Sequence, residues 1–179
     1  MTLSRIVELL PVPDVATENE RGDCDSLSVE FGVRFPDIFI DFVSTYGTGS
    51  IGGFLWILNP FSKNPNLNLD QARYFRNAYQ NLRNDFPEYY PRRSDEFLPW
   101  AFTDNGDAVV WLIDEGDPND WCVCVQASDP AQEEMTGLNT QEFLEALLEK
   151  RLASSILPVQ FLEADKQFVA LNRPGFTGE

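Results

Sequence analysis

Along residues 35–46 the apolar positions Ile38, Phe39, Phe42, Val43 and Tyr46 recur at helical spacing and predict one buried helix face. Pro36 suits the first turn of that helix, where its missing N–H costs nothing. Gly47 and Gly49 are expected to stop it, because glycine adopts the left-handed conformation that closes a helix end. The β-branched and aromatic run 51–58 then predicts a buried strand. Helix, glycine corner and strand make a scaffold. The segment holds no nucleophile–base pair and no metal-ligand cluster.

The rest of the chain divides in the same way. Residues 2–10 predict a short helix with Leu3, Ile6, Val7 and Leu10 on one side, ended by Pro11 and Pro13. Residues 14–22 are polar and read as loop. Asp25 or Ser26 is placed to cap a second short helix through Phe31, with Gly32 as its stop. After a loop at 59–68, a longer helix is expected over 69–84, with Asp70 in its first turn. A second loop spans 86–95. Strands at 100–103, 108–113 and 121–126 form a three-strand meander over about 98–126. Its first turn holds Asn105-Gly106, a strong hairpin signal, and its second is the long acidic stretch 114–120. Residues 129–138 read as loop. Thr140 is placed to cap a helix whose apolar face is Phe143, Leu144, Leu147 and Leu148. The tail after Leu152 is mixed, with an extended stretch at 167–171 and a Pro-Gly turn. Helices and hairpin strands come in separate groups, without repeats or a linker. The expectation is one α+β domain over 1–179, with a core at about 25–150 and a C-terminal extension at 151–179. Its central, mainly antiparallel sheet packs against helices.

Charge narrows the function. The 179 residues carry a net charge of −16. The net values are −6 for residues 1–60, +1 for 61–100, −11 for 101–150 and 0 for 151–179. Such a surface repels phosphates, which argues against nucleic acid as a direct ligand, and it steers basic partners. No apolar run approaches the ~20 residues of a membrane helix. The N-terminus lacks the apolar region and cleavage site of a secretory signal, so a cytoplasmic protein with no membrane contact is expected. The three cysteines include Cys122 and Cys124 on one strand face, and all three read as small core hydrophobes in a reducing compartment. The chain has no histidine, which removes the commonest general base and any ordinary zinc set. No metal, no cofactor and no catalytic residue is expected.

The acidic turns are the sharpest candidate site. Asp104, Asp107, Asp114, Glu115, Asp117 and Asp120 gather at two hairpin ends. Successive turns of one meander fall at opposite ends of the sheet, so the six need not form one patch. Asp, Asn and Gly are good turn residues, which is one reading; a partner-binding acidic surface is the other. The register of 114–117 does not match alternating calcium ligands. Exposed turn carboxylates have nothing to shift their pKa, which argues against an acid–base pair. Trp121, at the edge of the second acidic turn, is the tryptophan expected to be partly exposed as a binding anchor. Gly47-Thr48-Gly49-Ser50-Ile51-Gly52 spells a dinucleotide fingerprint, but it has helix before and strand after, the reverse of what that site needs. Tyr89, Tyr90, Arg92 and Arg93 read as a solvated loop.

Several blocks together carry a family resemblance. Phe35-Pro36-Asp37 through Tyr46-Gly47-Thr48-Gly49, then Phe54-Leu55-Trp56, resembles the SUKH superfamily of Smi/Knr-like proteins. So does Leu98-Pro99-Trp100-Ala101-Phe102-Thr103-Asp104-Asn105-Gly106-Asp107, followed by Trp111. Gly116 to Trp121 and the Phe-Leu helix at 140–148 are similar to the next two blocks. In this order they cover most of residues 25–150. The resemblance implies an α+β domain with a central sheet, and a non-enzymatic role. Bacterial members are mostly immunity proteins that bind and neutralise toxins, often nucleases or deaminases; fungal relatives regulate cell-wall synthesis through binding partners. The family shares no catalytic residues, and its toxin-binding surfaces vary, so no residue role is transferred. The joint expectation is an immunity-type protein that occludes a basic protein toxin through Asp104, Asp107, Asp114, Glu115, Asp117, Asp120 and Trp121. The alternative is a scaffold with a non-toxin partner.

Overall fold

The computed structural model describes residues 3–127 and 131–171. In chain order its elements are α1 (Ser4–Leu9), α2 (Cys24–Phe31), α3 (Asp37–Tyr46), β1 (Gly49–Ile51), β2 (Leu55–Ile57) and α4 (Leu69–Asp85). They continue with β3 (Phe97–Thr103), β4 (Ala108–Leu112), a 3-10 turn (Pro118–Asp120), β5 (Val123–Ala127), β6 (Gln132–Met135), α5 (Thr140–Leu148), α6 (Val159–Glu163) and β7 (Phe168–Ala170). The strands form one antiparallel sheet in the order β6-β5-β4-β3-β2-β1-β7. This is an α+β domain, and the expected meander is its centre.

Side chains alternate across each strand, so the sheet has two apolar faces. Val109 and Trp111 of β4, with Trp100 of β3, face α3 and α5 in the main core. Phe39 meets Trp111 edge to face at 4.8 Å, and Trp100 meets Phe143 of α5 at 5.8 Å. Ala108 and Val110, with Phe97 and Cys124, face α4 in a second cluster around Tyr79. Pro99 cannot donate to the ladder, and the β3–β4 register shifts between Pro99 and Ala101. All five apolar positions expected on α3 are buried.

Five local readings change. The run 51–58 is a hairpin and not one strand: Gly52 and Gly53, both at positive φ, turn the chain between β1 and β2. Gly49 does not stop α3 but opens β1, where a Cβ would lie 2.3 Å from the Val169 carbonyl oxygen. Gly47 makes the corner alone. Asp23, two or three residues earlier than expected, caps α2 by accepting from the Asp25 and Ser26 backbone N–H groups. Asn139 caps α5 in a reciprocal box with Glu142, which leaves Thr140 as a buried first helical residue. Within 129–138, expected as loop, lies the edge strand β6. The helix α6 had no sequence signal strong enough to place it. The extended stretch near 167–171 is β7, and the Pro-Gly turn lies outside the described residues.

Candidate partner-binding surface

The two acidic turns sit at opposite ends of the sheet, as an antiparallel meander requires. The β3–β4 turn carries Asp104 and Asp107. Leu55 pairs with Thr103, so the β1–β2 hairpin tip lies beside this turn. Asp104 accepts from the Trp56 indole Nε1 at 2.7 Å, and its own backbone N–H donates to the Phe54 carbonyl. Asp107 is only 6% exposed, and its carboxylate accepts from the Thr103 hydroxyl at 3.0 Å. Asp107 therefore shapes the turn and offers little surface. Its low exposure follows from a side chain folded back onto β3, which spacing alone does not reveal.

The β4–β5 connection carries the other four carboxylates, all exposed. Asp114 accepts from the Gly116 N–H at 2.7 Å, which closes a tight turn. Asp117 caps the 3-10 turn through the Asn119 N–H and also meets Arg34 at 3.3 Å. Arg34 reaches Asp37 at 3.4 Å, and Asn119 donates to the same Asp37 carboxylate at 3.1 Å. The Asp37 N–H in turn donates to Asn119 Oδ1 at 2.8 Å. These contacts pin the connection to the start of α3. The surface thus gains Asp37, a carboxylate from another element that the local turn pattern did not connect to this end. Among the described residues, Glu115 and Asp120 make no hydrogen bond or ion pair through their side chains. Of the five carboxylates at this end, Arg34 pairs with two, Asp37 and Asp117.

Trp121 departs from expectation. It is 3% exposed and packs toward Trp111 with ring centroids 6.5 Å apart. As it stands it is a core residue and presents no ring to a partner. The apolar environment of β4 and α3 captures it, although its sequence neighbours are charged.

Beyond Arg34, no cation among the described residues is paired with the carboxylates of this surface. Seven other cations have carboxylate partners: Arg5 with Glu8 and Glu149, Arg21 with Asp41, Arg73 with Asp70 and Glu30, Arg92 with Glu133, Arg93 with Asp95, Lys150 with Asp165, and Arg151 with Glu149. Lys166 is buried and donates to the Leu162 and Ala164 carbonyls; burial lowers its pKa. The excess of acids is left to face solvent, so the negative field survives folding. Another carboxylate anchor lies elsewhere. Glu18 accepts from the Thr48 and Ser62 hydroxyls and the Lys63 N–H. Burial pushes its pKa up, but those hydrogen bonds together hold it below the ordinary value. That group fastens the 14–22 loop to the sheet.

Among the described residues, no three His, Cys, Asp or Glu side chains are placed to hold a metal ion. Cys24, Cys122 and Cys124 are free thiols, and burial pushes Cys124 up to about 12. No helix among the described residues is long and apolar enough to cross a membrane. The arrangement is suited to electrostatic recognition of a protein surface: charge, solvent exposure and a backbone held in place by its own turns.

A family model described as SUKH_6: SMI1-KNR4 cell-wall matches residues 25–144. That span runs from the first turn of α2 into α5 and contains both acidic turns and the whole central meander. No curated protein and no solved structure matches the chain.

Proposed function

The chain belongs to the SMI1-KNR4 cell-wall family, SUKH_6, and from that premise we propose that it is a non-catalytic immunity-type protein that neutralises a basic toxin by occlusion. The observation that carries the reading is the exposed acidic connection 113–120, where Asp114, Glu115, Asp117 and Asp120 all face solvent and, among the described residues, Asp117 alone of the four has an ion-pair partner, Arg34. A toxin that acts on nucleic acid must present cations to phosphates. The same cations are attracted to this connection. Opposite charge raises the encounter rate, and close packing then limits dissociation. Asp104 adds to the field from the opposite end of the sheet, while Asp107 and Trp121 support the fold beneath the surface.

A second reading is supported by the family's cell-wall description: a regulator that holds a non-toxin protein through the same acidic end. Genetic context separates the two. Co-expression with a toxin encoded beside its gene should restore growth on the immunity reading. Continued killing at full expression of folded protein would overturn that reading and leave the regulator.

A further inference from the structure

Residues 14–22 cross the corner where α3 ends and β1 begins. Thr17 bridges to Gly47, and its carbonyl accepts from the Thr48 N–H at 2.7 Å. No residue from Pro11 to Asp23 is buried, and Val15 is 61% exposed. Apolar contact does little to hold such a strap down, and a segment without it opens before the fold as a whole does. The ion pair of Arg21 with Asp41, at 3.5 Å, is exposed and weak. Glu18 sits at φ +55°, a left-handed backbone that disfavours a side chain.

The end of the Glu18 side chain does the fastening. Its Oε2 accepts from Thr48 Oγ1 at 2.8 Å and from Ser62 Oγ, and its Oε1 accepts from the Lys63 N–H at 3.0 Å. Thr48 and Ser62 are 0% and 6% exposed. Each of these hydroxyls also receives an N–H on its oxygen: Thr48 Oγ1 from Asn59 Nδ2 at 3.0 Å, and Ser62 Oγ from the Asn64 backbone at 3.1 Å. Asn59 cannot turn over, because its Oδ1 accepts from the Phe61 N–H. Both hydroxyl hydrogens are thereby turned toward Glu18. The seat presents donors to its occupant, with the Lys63 charge adding to the attraction. A carboxylate matches this set on both of its oxygens.

We propose that residues 14–22 form a strap that opens as one unit with Glu18 as its latch, and that the seat made by Thr48, Ser62 and the Lys63 N–H is a site for a small carboxylate, covered while the strap is closed. Glu18 is the resident occupant, and a free carboxylate takes its place when the latch is withdrawn. The site is separate from the acidic connection and stands or falls independently of it.

Amide hydrogen exchange of the whole chain, followed by NMR, tests both parts. The Thr48 N–H is covered by Thr17 and the Lys63 N–H by Glu18, whereas the Leu58 N–H is held by Trp100 of β3. In the wild-type chain Thr48 and Lys63 should exchange through one opening, with equal protection that is lower than that of Leu58. Glu18→Gly removes the carboxylate and relieves the backbone. It should speed Thr48 and Lys63 about tenfold or more relative to Leu58. Sodium acetate should then slow Lys63 in this variant, and sodium chloride at equal concentration should not. Glu18→Asn, whose side chain tolerates the left-handed backbone, should behave the same and decides if Glu18→Gly fails to fold. Unequal protection of Thr48 and Lys63, exchange of both only together with Leu58, no acceleration in the variants, or acetate acting no differently from chloride would each overturn the proposal.

Discussion

Trp111 and Thr140 tie the meander to α5 through one buried bond, in which the indole Nε1 donates to Thr140 Oγ1 at 2.8 Å. Thr140→Val keeps the shape of the side chain but removes the acceptor. The indole N–H is then stranded inside the core, at a cost of about 1–3 kcal/mol. One more buried carbon offsets about 0.8 kcal/mol of that. The net loss should be about 0.2–2.2 kcal/mol, which for a chain of this size lowers Tm by up to roughly 8 °C. Trp111→Phe also loses packing, so its single value is larger and less informative. The double variant strands neither group. Its destabilisation should fall short of the sum of the singles by about 1–2 kcal/mol. Urea unfolding of the four proteins, followed by circular dichroism, measures this coupling. A coupling indistinguishable from zero, or a Thr140→Val protein as stable as wild type, would refute the argument that this bond holds α5 to β4.

Gly47→Ala should be severe, because φ is +74° and a Cβ would sit 2.1 Å from the Thr17 carbonyl oxygen; we expect a loss of more than about 2 kcal/mol in denaturant unfolding. Gly32→Ala has a similar φ of +70° but open space around it, and should cost only about 1 kcal/mol. Glu18 titrates below its ordinary value in the folded chain, so its contribution is present above the unfolded carboxylate pKa and is lost as pH falls through the folded one. Glu18→Gln should therefore lower stability at neutral pH and converge on wild type in acid, as read from unfolding midpoints across pH. With Cys124 buried and its thiol raised to about 12, a thiol reagent at neutral pH should label Cys24 and Cys122 before denaturation and Cys124 only after it.

The parts of the fold legible in the sequence were those fixed by short-range periodicity. Ile38, Phe39, Phe42, Val43 and Tyr46 announced α3, and Asn105-Gly106 announced the β3–β4 hairpin. Capping was harder, because Asp23, Asp25 and Ser26 are all acceptable caps and only the backbone path chooses among them. The β1–β2 hairpin was hidden because its two three-residue strands lie within one apolar run, and only Gly52 and Gly53 interrupt it. The edge strand β6 reads Gln-Glu-Glu-Met, a polar sequence that becomes a strand by pairing with β5. At the candidate site, the charges were visible but their partners were not. Asp37 and Arg34 are distant in sequence from the 113–120 connection and reach it only because α3 begins there. Trp121 is buried beside charged sequence neighbours for the related reason that burial is a long-range property.

The central claim is that this chain acts by charge-steered binding at the β4–β5 connection. The most direct measurement is the association rate with a toxin encoded beside its gene, for wild type and for an Asp114→Asn, Glu115→Gln, Asp120→Asn variant, at low and high salt. These side chains are exposed, so each substitution should change stability by only about 0.5 kcal/mol or less. The wild-type rate should fall steeply with salt, and the variant should associate roughly tenfold more slowly at low salt with its dissociation rate little changed. Rates that ignore both salt and the three substitutions would contradict it.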